Sequence, residues 1–384
     1  MTEVDWLSTA RQLRADCLDP IKQVLVGKDE IIEVLGVGLV AGENVFLLGP
    51  PGTAKSALVH ELACRLNGQS FDYLLTRFTE PSELFGPFDL RKLRDGDLVT
   101  NTEGMLPEAD FVFLDEIMNA NSAVLNSLLL ALNEKVFRRG RESLSIPMLL
   151  TIGASNRLPE DSALTALYDR FLLRVLCENV SEDLLGEVLD AGWRREQREA
   201  IPTMLDVEAV RLLQNAVTQI DLTRIRRAYL ALVGRLREAG LPISDRRAVR
   251  LQRAIAASAV ICGRTEAQVS DLWILRYIWE SPAQKETICA HVDDILNEHQ
   301  EESDSGAVHP LSDPQKGPDP EQLQAALETL DQELQNGDKS ALAVADTLAL
   351  LASRIEWVPN EEAREQLRNQ VTAMRDSLQQ GSPQ

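Results

Sequence analysis

Gly49-Pro50-Pro51-Gly52-Thr53-Ala54-Lys55-Ser56 is the stretch on which the fold turns. It follows the apolar run 43–49 (ENVFLLG), which reads as a buried strand. It precedes 56–66, where Leu58, Leu62 and Leu66 recur at helical spacing. A Gly/Pro turn ending in Lys-Ser between strand and helix is the setting of a phosphate-binding loop. There the backbone N–H groups curl around phosphate oxygens, and the helix N-terminus adds its positive end. Gly49, Pro50, Pro51, Gly52, Thr53, Ala54, Lys55, Ser56 and Ala57 are the expected nucleotide-binding positions. Lys55 would reach the β- and γ-phosphates, and the Ser56 hydroxyl would bind Mg²⁺. Ala54 stands where the pattern has Gly. A position entering a helix does not require positive φ, so the methyl is expected to be tolerated.

Sixty residues on, 111–116 read Phe-Val-Phe-Leu-Asp-Glu. Four apolar residues ending in two acids place carboxylates at the C-terminal edge of a buried strand, where open α/β sheets bind ligands. Asp115 is the second expected metal and nucleotide position. Glu116 is the expected general base toward the attacking water. Asn156 ends the next apolar run (149–155), where its amide could bond both that water and the γ-phosphate. Arg170 stands just before the last run (171–177). In a ring it would face the neighbour's nucleotide as an arginine finger, with Arg174 the weaker rival. Ser244-Asp245-Arg246-Arg247 opens a later helix. Arg246, or alternatively Arg247, could reach the γ-phosphate across an interdomain cleft. Val26 and Gly27, with Lys28, are expected to touch adenine.

The first half alternates strand and helix patterns, so it predicts an α/β fold: a five-stranded parallel sheet with strands at 43–49, 70–76, 110–114, 149–155 and 171–177. Asp95-Gly96 within 86–104 and Arg139-Gly140 within 135–147 predict two hairpins. From about 180 the pattern is helical, at 181–199, 206–219, 223–239, 245–262 and 266–299. Residues 301–320 read as a Pro/Ser/Gly/Asp-rich linker, and 321–379 as two or three amphipathic helices broken at Gly337 and Pro359-Asn360. The expected domains are a core at 1–180, a helical lid at 181–300, the linker at 301–320 and an acidic helical tail at 321–384.

The net charge of −21 argues against broad nucleic-acid or anionic-membrane binding. Residues 291–384 carry 19 acidic against 6 basic residues and supply most of it. Five scattered cysteines without a C-x-x-C pair read as reduced thiols. With no secretory signal and no apolar run of membrane length, a cytoplasmic location is expected.

Taken together, 49–56, Phe-Leu-Asp-Glu (113–116), Ala-Ser-Asn (154–156) and Leu-Tyr-Asp-Arg-Phe (167–171) resemble the MoxR family of AAA+ ATPases. Thr76-Arg77-Phe78, Phe85-Gly86-Pro87 and 244–247 look closest to the RavA-like branch. The resemblance covers about residues 10–300. It implies an AAA+ core with a helical lid, ATP and Mg²⁺ as ligands, and homo-hexamers. It also implies a von Willebrand A domain partner and chaperone-like remodelling of a protein client. By resemblance, 86–104 is the family's insert and 135–147 the hairpin before the fourth strand. The helical 301–384 departs from RavA-like chains, which can carry a β-rich domain there. A DNA-acting motor and a nucleotide-gated scaffold with little turnover are the rival readings.

Overall fold

The structure, a computed structural model, describes residues 3–89, 91–92, 99–139, 142–180, 184–198, 200–201, 203–299, 308–312, 323–324, 327, 330, 344, 348, 351–352, 355 and 361–380. It divides into two compact units, Met1–Ala307 and Val308–Gln384.

In the first unit, five strands form one parallel sheet: β1 (Asn44–Leu48), β2 (Ser70–Leu74), β3 (Phe111–Asp115), β6 (Leu150–Ser155) and β7 (Phe171–Leu176), in the order β2-β3-β6-β1-β7. β1 and β6 are buried at every residue, as expected of interior strands covered on both faces. β4 (Val136–Arg139) and β5 (Glu142–Ser145) pair antiparallel as a separate two-stranded ribbon. It is the second predicted hairpin, although its turn residues 140–141 lie outside the described residues. The flanks of the first predicted hairpin also meet, through an antiparallel bridge between Phe88 and Thr100. Asp95-Gly96 itself lies outside the described residues. The two insertions are joined. Arg139 lies over the Phe88 ring at 3.8 Å, and the Thr100 hydroxyl donates to Glu142 at 2.9 Å.

The N-terminal layer is α1 (Glu3–Gln12), a π-helical turn (Leu13–Leu18), α2 (Asp19–Val24) and α3 (Asp29–Ala41). α4 (Lys55–Arg65) follows the phosphate loop. It stops in a Schellman arrangement, with Gly68 N–H donating to Ala63 O at 3.4 Å. The left-handed residue there is Asn67 at φ 49°, not the glycine beside it. α5 (Pro81–Phe85), α6 (Ser122–Glu134) and α7 (Ser162–Tyr168) complete the core. Asn121 caps α6, its Oδ1 accepting from Ala123 and Val124 N–H at 3.1 Å.

Beyond β7 the first unit continues with α8 (Leu185–Gln197), α9 (Val207–Ala216), α10 (Arg226–Glu238), α11 (Asp245–Ile261) and α12 (Lys285–Glu298). The helix expected over 266–299 is a correction. Val269–Tyr277 is a 3-10 helix, Pro282–Gln284 another, and only then does α12 begin. The cause is the buried Asp271. Its carboxylate accepts from Ser258 Oγ at 2.7 Å, from Arg264 at 2.7 and 2.8 Å, and from Gln268 N–H at 2.8 Å. That clamp tightens the turn, and Pro282 removes a donor further on.

The second unit packs Leu323, Leu327, Leu330, Val344, Leu348, Leu351 and Ile355 against Leu367, Val371 and Met374 of α13 (Glu361–Gln380). The predicted breaks at Gly337 and Pro359-Asn360 lie outside the described residues, as does most of 301–320.

Candidate active site

At the C-terminal edge of the sheet the loop after β1 curls tightly. A Cβ on Gly49 would meet Cys177 O at 2.0 Å, and Gly52 sits at φ 84° with open space around it. Both positions therefore need glycine. Lys55 Nζ is buried and donates to Gly49 O at 2.7 Å and Pro50 O at 3.0 Å, which places the ammonium inside the loop. Leu58 N–H pairs with Ala54 O at 3.0 Å, whereas the N–H groups of Lys55, Ser56 and Ala57 have no backbone acceptor among the described residues. The Ser56 side chain is exposed. Ala54 is a correction. It stands at φ 65°, in the left-handed region, where a Cβ costs roughly 1–2 kcal/mol.

The same edge receives the acids. Asp115 ends β3, and its Oδ1 accepts from Glu116 N–H at 2.9 Å. Glu116 is likewise left-handed, at φ 50°. Strain of this kind concentrates at functional sites. Ser155, buried at the end of β6, lies 3.5 Å from Glu116 Oε2. Asn156 follows it and is exposed. The adjoining Arg157 donates to Asn119 Oδ1 at 2.8 Å and Met118 O at 3.3 Å, which ties the loop after β6 to the loop after β3. The segment 26–28 comes to this edge too. Lys28 is buried and donates to Glu178 O just past β7, and a Cβ on Gly27 would meet Val180 at 2.8 Å. Val26 is half-buried beside them.

The arginines behave differently. Arg170 precedes β7, at the opposite edge of the sheet, and donates to Asn133 Oδ1 at 3.3 Å. It makes no ion pair with Asp169 among the described residues. Arg246, exposed on α11, donates to the same oxygen at 2.7 Å. The structure thus places the Arg246 guanidinium beside Asn133 and Arg170. Arg247 is buried and paired with Glu280 at 2.8 Å. Burial pushes its pKa down, and Glu280 pulls the other way. Arg174 is buried as well, spending its guanidinium on Trp279 O at 2.8 Å, Tyr168 O at 3.3 Å and Ile278 O at 3.4 Å. Burial, reinforced by Arg247, pushes its pKa down to about 10. A side chain so enclosed is not a finger.

The family model for the MoxR domain of the MoxR-vWA-beta-propeller ternary systems matches residues 11–215. The chain belongs to the MoxR family of AAA+ ATPases. An AAA lid domain model matches residues 218–292. An uncharacterised protein of Methanocaldococcus jannaschii is 35% identical over 282 residues, 73% of this chain and 74% of that one. The chaperone MoxR1 of Mycobacterium tuberculosis is 28% identical over 159 residues, 40% of this chain and 41% of that one. A solved structure from Cytophaga hutchinsonii superimposes with a TM-score of 0.61 at 20% identity. It covers 77% of this chain and 96% of its own, and at that identity it speaks for the fold alone.

In this MoxR chain the loop fits a magnesium nucleotide on its own geometry. A loop with open space at Gly52, three amides without a backbone acceptor, a buried ammonium, an exposed serine and two acids share one sheet edge. The described residues hold no cluster of three or more potential metal ligands, so any cation there would lean on phosphate oxygens and water. Ser155, Arg157 and Asn133 escaped the sequence reading. Ser155 and Arg157 flank Asn156 and could have been suspected from that; Asn133, inside a helical pattern, carries no such signal. Among the described residues no helix is long and apolar enough to cross a membrane.

Proposed function

We propose that this MoxR chain hydrolyses ATP with magnesium in a homo-hexameric ring. The arrangement that carries the reading is the meeting of the loop 49–57 with Asp115, Glu116 and Asn156 at one edge of the sheet, with Arg170 and Arg246 gathered at the other. The backbone amides of the loop and Lys55 hold the phosphates. Ser56 and, through water, Asp115 would hold a magnesium ion, which would supply charge neutralisation there. Glu116 takes the proton of the attacking water, and Asn156 orients that water. Val26, Gly27 and Lys28 border the adenine. Arg170, with Arg246 beside it, serves the site of the neighbouring subunit.

The work done with that energy is chaperone-like: remodelling of a protein client together with a von Willebrand A domain partner. The family model, drawn from systems that contain such a partner, supports this. We place the core at 1–180, the lid at 181–300, the linker at 301–320 and the tail at 321–384, and we place the protein in the cytoplasm. The motifs at 76–87 and 244–247 suggest a RavA-like relative. Phosphate release by the purified chain, with Lys55→Ala beside it, tests the reading. Wild-type turnover that Lys55→Ala abolishes supports it; tight ATP binding retained by Lys55→Ala removes the loop assignment.

A further inference from the structure

Glu116 stands in the left-handed region at φ 50°. A side chain placed there persists only where its surroundings over-determine it. Part of the hold is local. Asn119 N–H donates to Glu116 O at 2.8 Å, which closes the 3-10 turn Ile117–Asn119. The rest comes from Arg157, in the loop after β6. Its Nη2 donates to Asn119 Oδ1 at 2.8 Å and to Met118 O at 3.3 Å, so the guanidinium grips two residues of that turn. Its Nη1 donates to Glu160 Oε1 at 2.9 Å, which orients the planar group.

Asn156 lies between two residues that both address this turn. Ser155, on one side, lies with its Oγ 3.5 Å from Glu116 Oε2, and the same Oγ accepts from Arg157 N–H at 3.2 Å. Arg157 is the residue on the other side. The backbone that carries Asn156 is thus tied at both flanks to the turn that carries Glu116. Asn119 extends the tie to a third loop. Its Nδ2 donates to Leu75 O at 3.4 Å, and Leu75 N–H donates to Asp115 O at 2.9 Å. Among the described residues neither Arg157 nor Asn119 bonds to the phosphate loop.

We propose that Arg157 is a positioning residue for hydrolysis. It fixes the gap between the Glu116 carboxylate and the Asn156 amide in which the attacking water is held. This rests on the reading above, in which Glu116 takes the proton of that water and Asn156 orients it. Arg157 acts through the two loops and touches none of the reacting atoms. The demand on it is strict, because a general base must stand within hydrogen-bond reach of its proton. A misplacement of about 1 Å can cost about 100-fold in rate. The residue type suits the task. A planar guanidinium reaches several fixed acceptors at once, which the point charge of a lysine does not.

Steady-state phosphate release and nucleotide binding by the full chain test this. Arg157→Met keeps the length of the stem and removes the donors. It should lower kcat about 10- to 100-fold, counted per nucleotide bound, with KM and the affinity for a non-hydrolysable ATP analogue within about twofold of wild type. Arg157→Lys keeps one charged donor group and should recover part of the loss. Asn119→Ala should lower kcat as Arg157→Met does. The two together should cost about what either costs alone, because they break one tie. Where Arg157→Met fails to fold, Asn119→Ala carries the same comparison of kcat with affinity. Weakened affinity at unchanged kcat, or losses that add in full, overturns the proposal. Glu116→Gln with wild-type turnover removes the base and this role together. Glu116→Gln without turnover, beside an Arg157→Met that matches wild type, overturns the positioning role alone.

Discussion

Arg170 and Arg246, one from the core and one from the lid, donate to the same atom, Asn133 Oδ1, at 3.3 and 2.7 Å. The pair joins the two parts of the subunit at the sheet edge remote from its own phosphate loop. Arg250, ion-paired with Glu43, also donates to Arg170 O at 3.3 Å, so the lid helix holds the arginine loop by its backbone too. An arginine pair set this way fits the proposed action on a phosphate that a neighbouring subunit brings to it.

The first prediction follows from that placement. Arg170→Ala and Arg246→Ala should each lower ATP turnover, Arg170→Ala by about 10³-fold or more. Mixing either variant with Lys55→Ala subunits should recover part of the activity. In the mixture some sites combine an intact loop from one chain with intact arginines from the other. Rescue of Arg170→Ala but not of Arg246→Ala would mean that Arg246 swings to its own loop.

Glu116→Gln should bind ATP as the wild type does and turn it over at least about 100-fold more slowly. The amide keeps the shape of the side chain and the contact with Ser155 but cannot take a proton. Retention of radiolabelled ATP on the filtered protein, with little phosphate released, is the expected pattern. Near-normal release would remove Glu116 as the base.

Most of this site was readable because its chemistry needs particular residues at particular ends of strands. The runs at 44–48, 111–114 and 150–155 are buried on both faces, which marks them as strands and the polar residues that end them as the candidate ligand edge. What was not readable depends on contacts between distant residues. The 3-10 run at 269–277 exists because Asp271 collects Ser258 and Arg264 from α11 and the turn that ends it. The pairing of Arg170 with Arg246 exists because Asn133, at the end of α6, lies between core and lid. Neither arrangement leaves a period or a motif in the chain.

Ala54 supplies a local case that can be measured. At φ 65° its Cβ is strained. Ala54→Gly should relieve this and raise the stability of the ligand-free protein by up to about 1 kcal/mol, less the entropy a glycine adds to the unfolded chain. A thermal melt without nucleotide should move up by about a degree. A fall in melting temperature would show that the turn prefers the alanine.

Arg174 separates a structural arginine from the two proposed to act. Its guanidinium is buried without a carboxylate contact among the described residues. It satisfies three backbone carbonyls that join β7, Tyr168 and the lid at 278–279, and it lies over the Tyr168 ring at 4.2 Å. Arg174→Ala strands those carbonyls and leaves a cavity, a loss of about 3 kcal/mol or more. The variant should melt lower and lose turnover through disorder between lid and core. Mixing with Lys55→Ala should restore nothing, since the defect lies within the subunit that carries the intact phosphate loop. Recovery in the mixture would make Arg174 a trans-acting residue despite its burial.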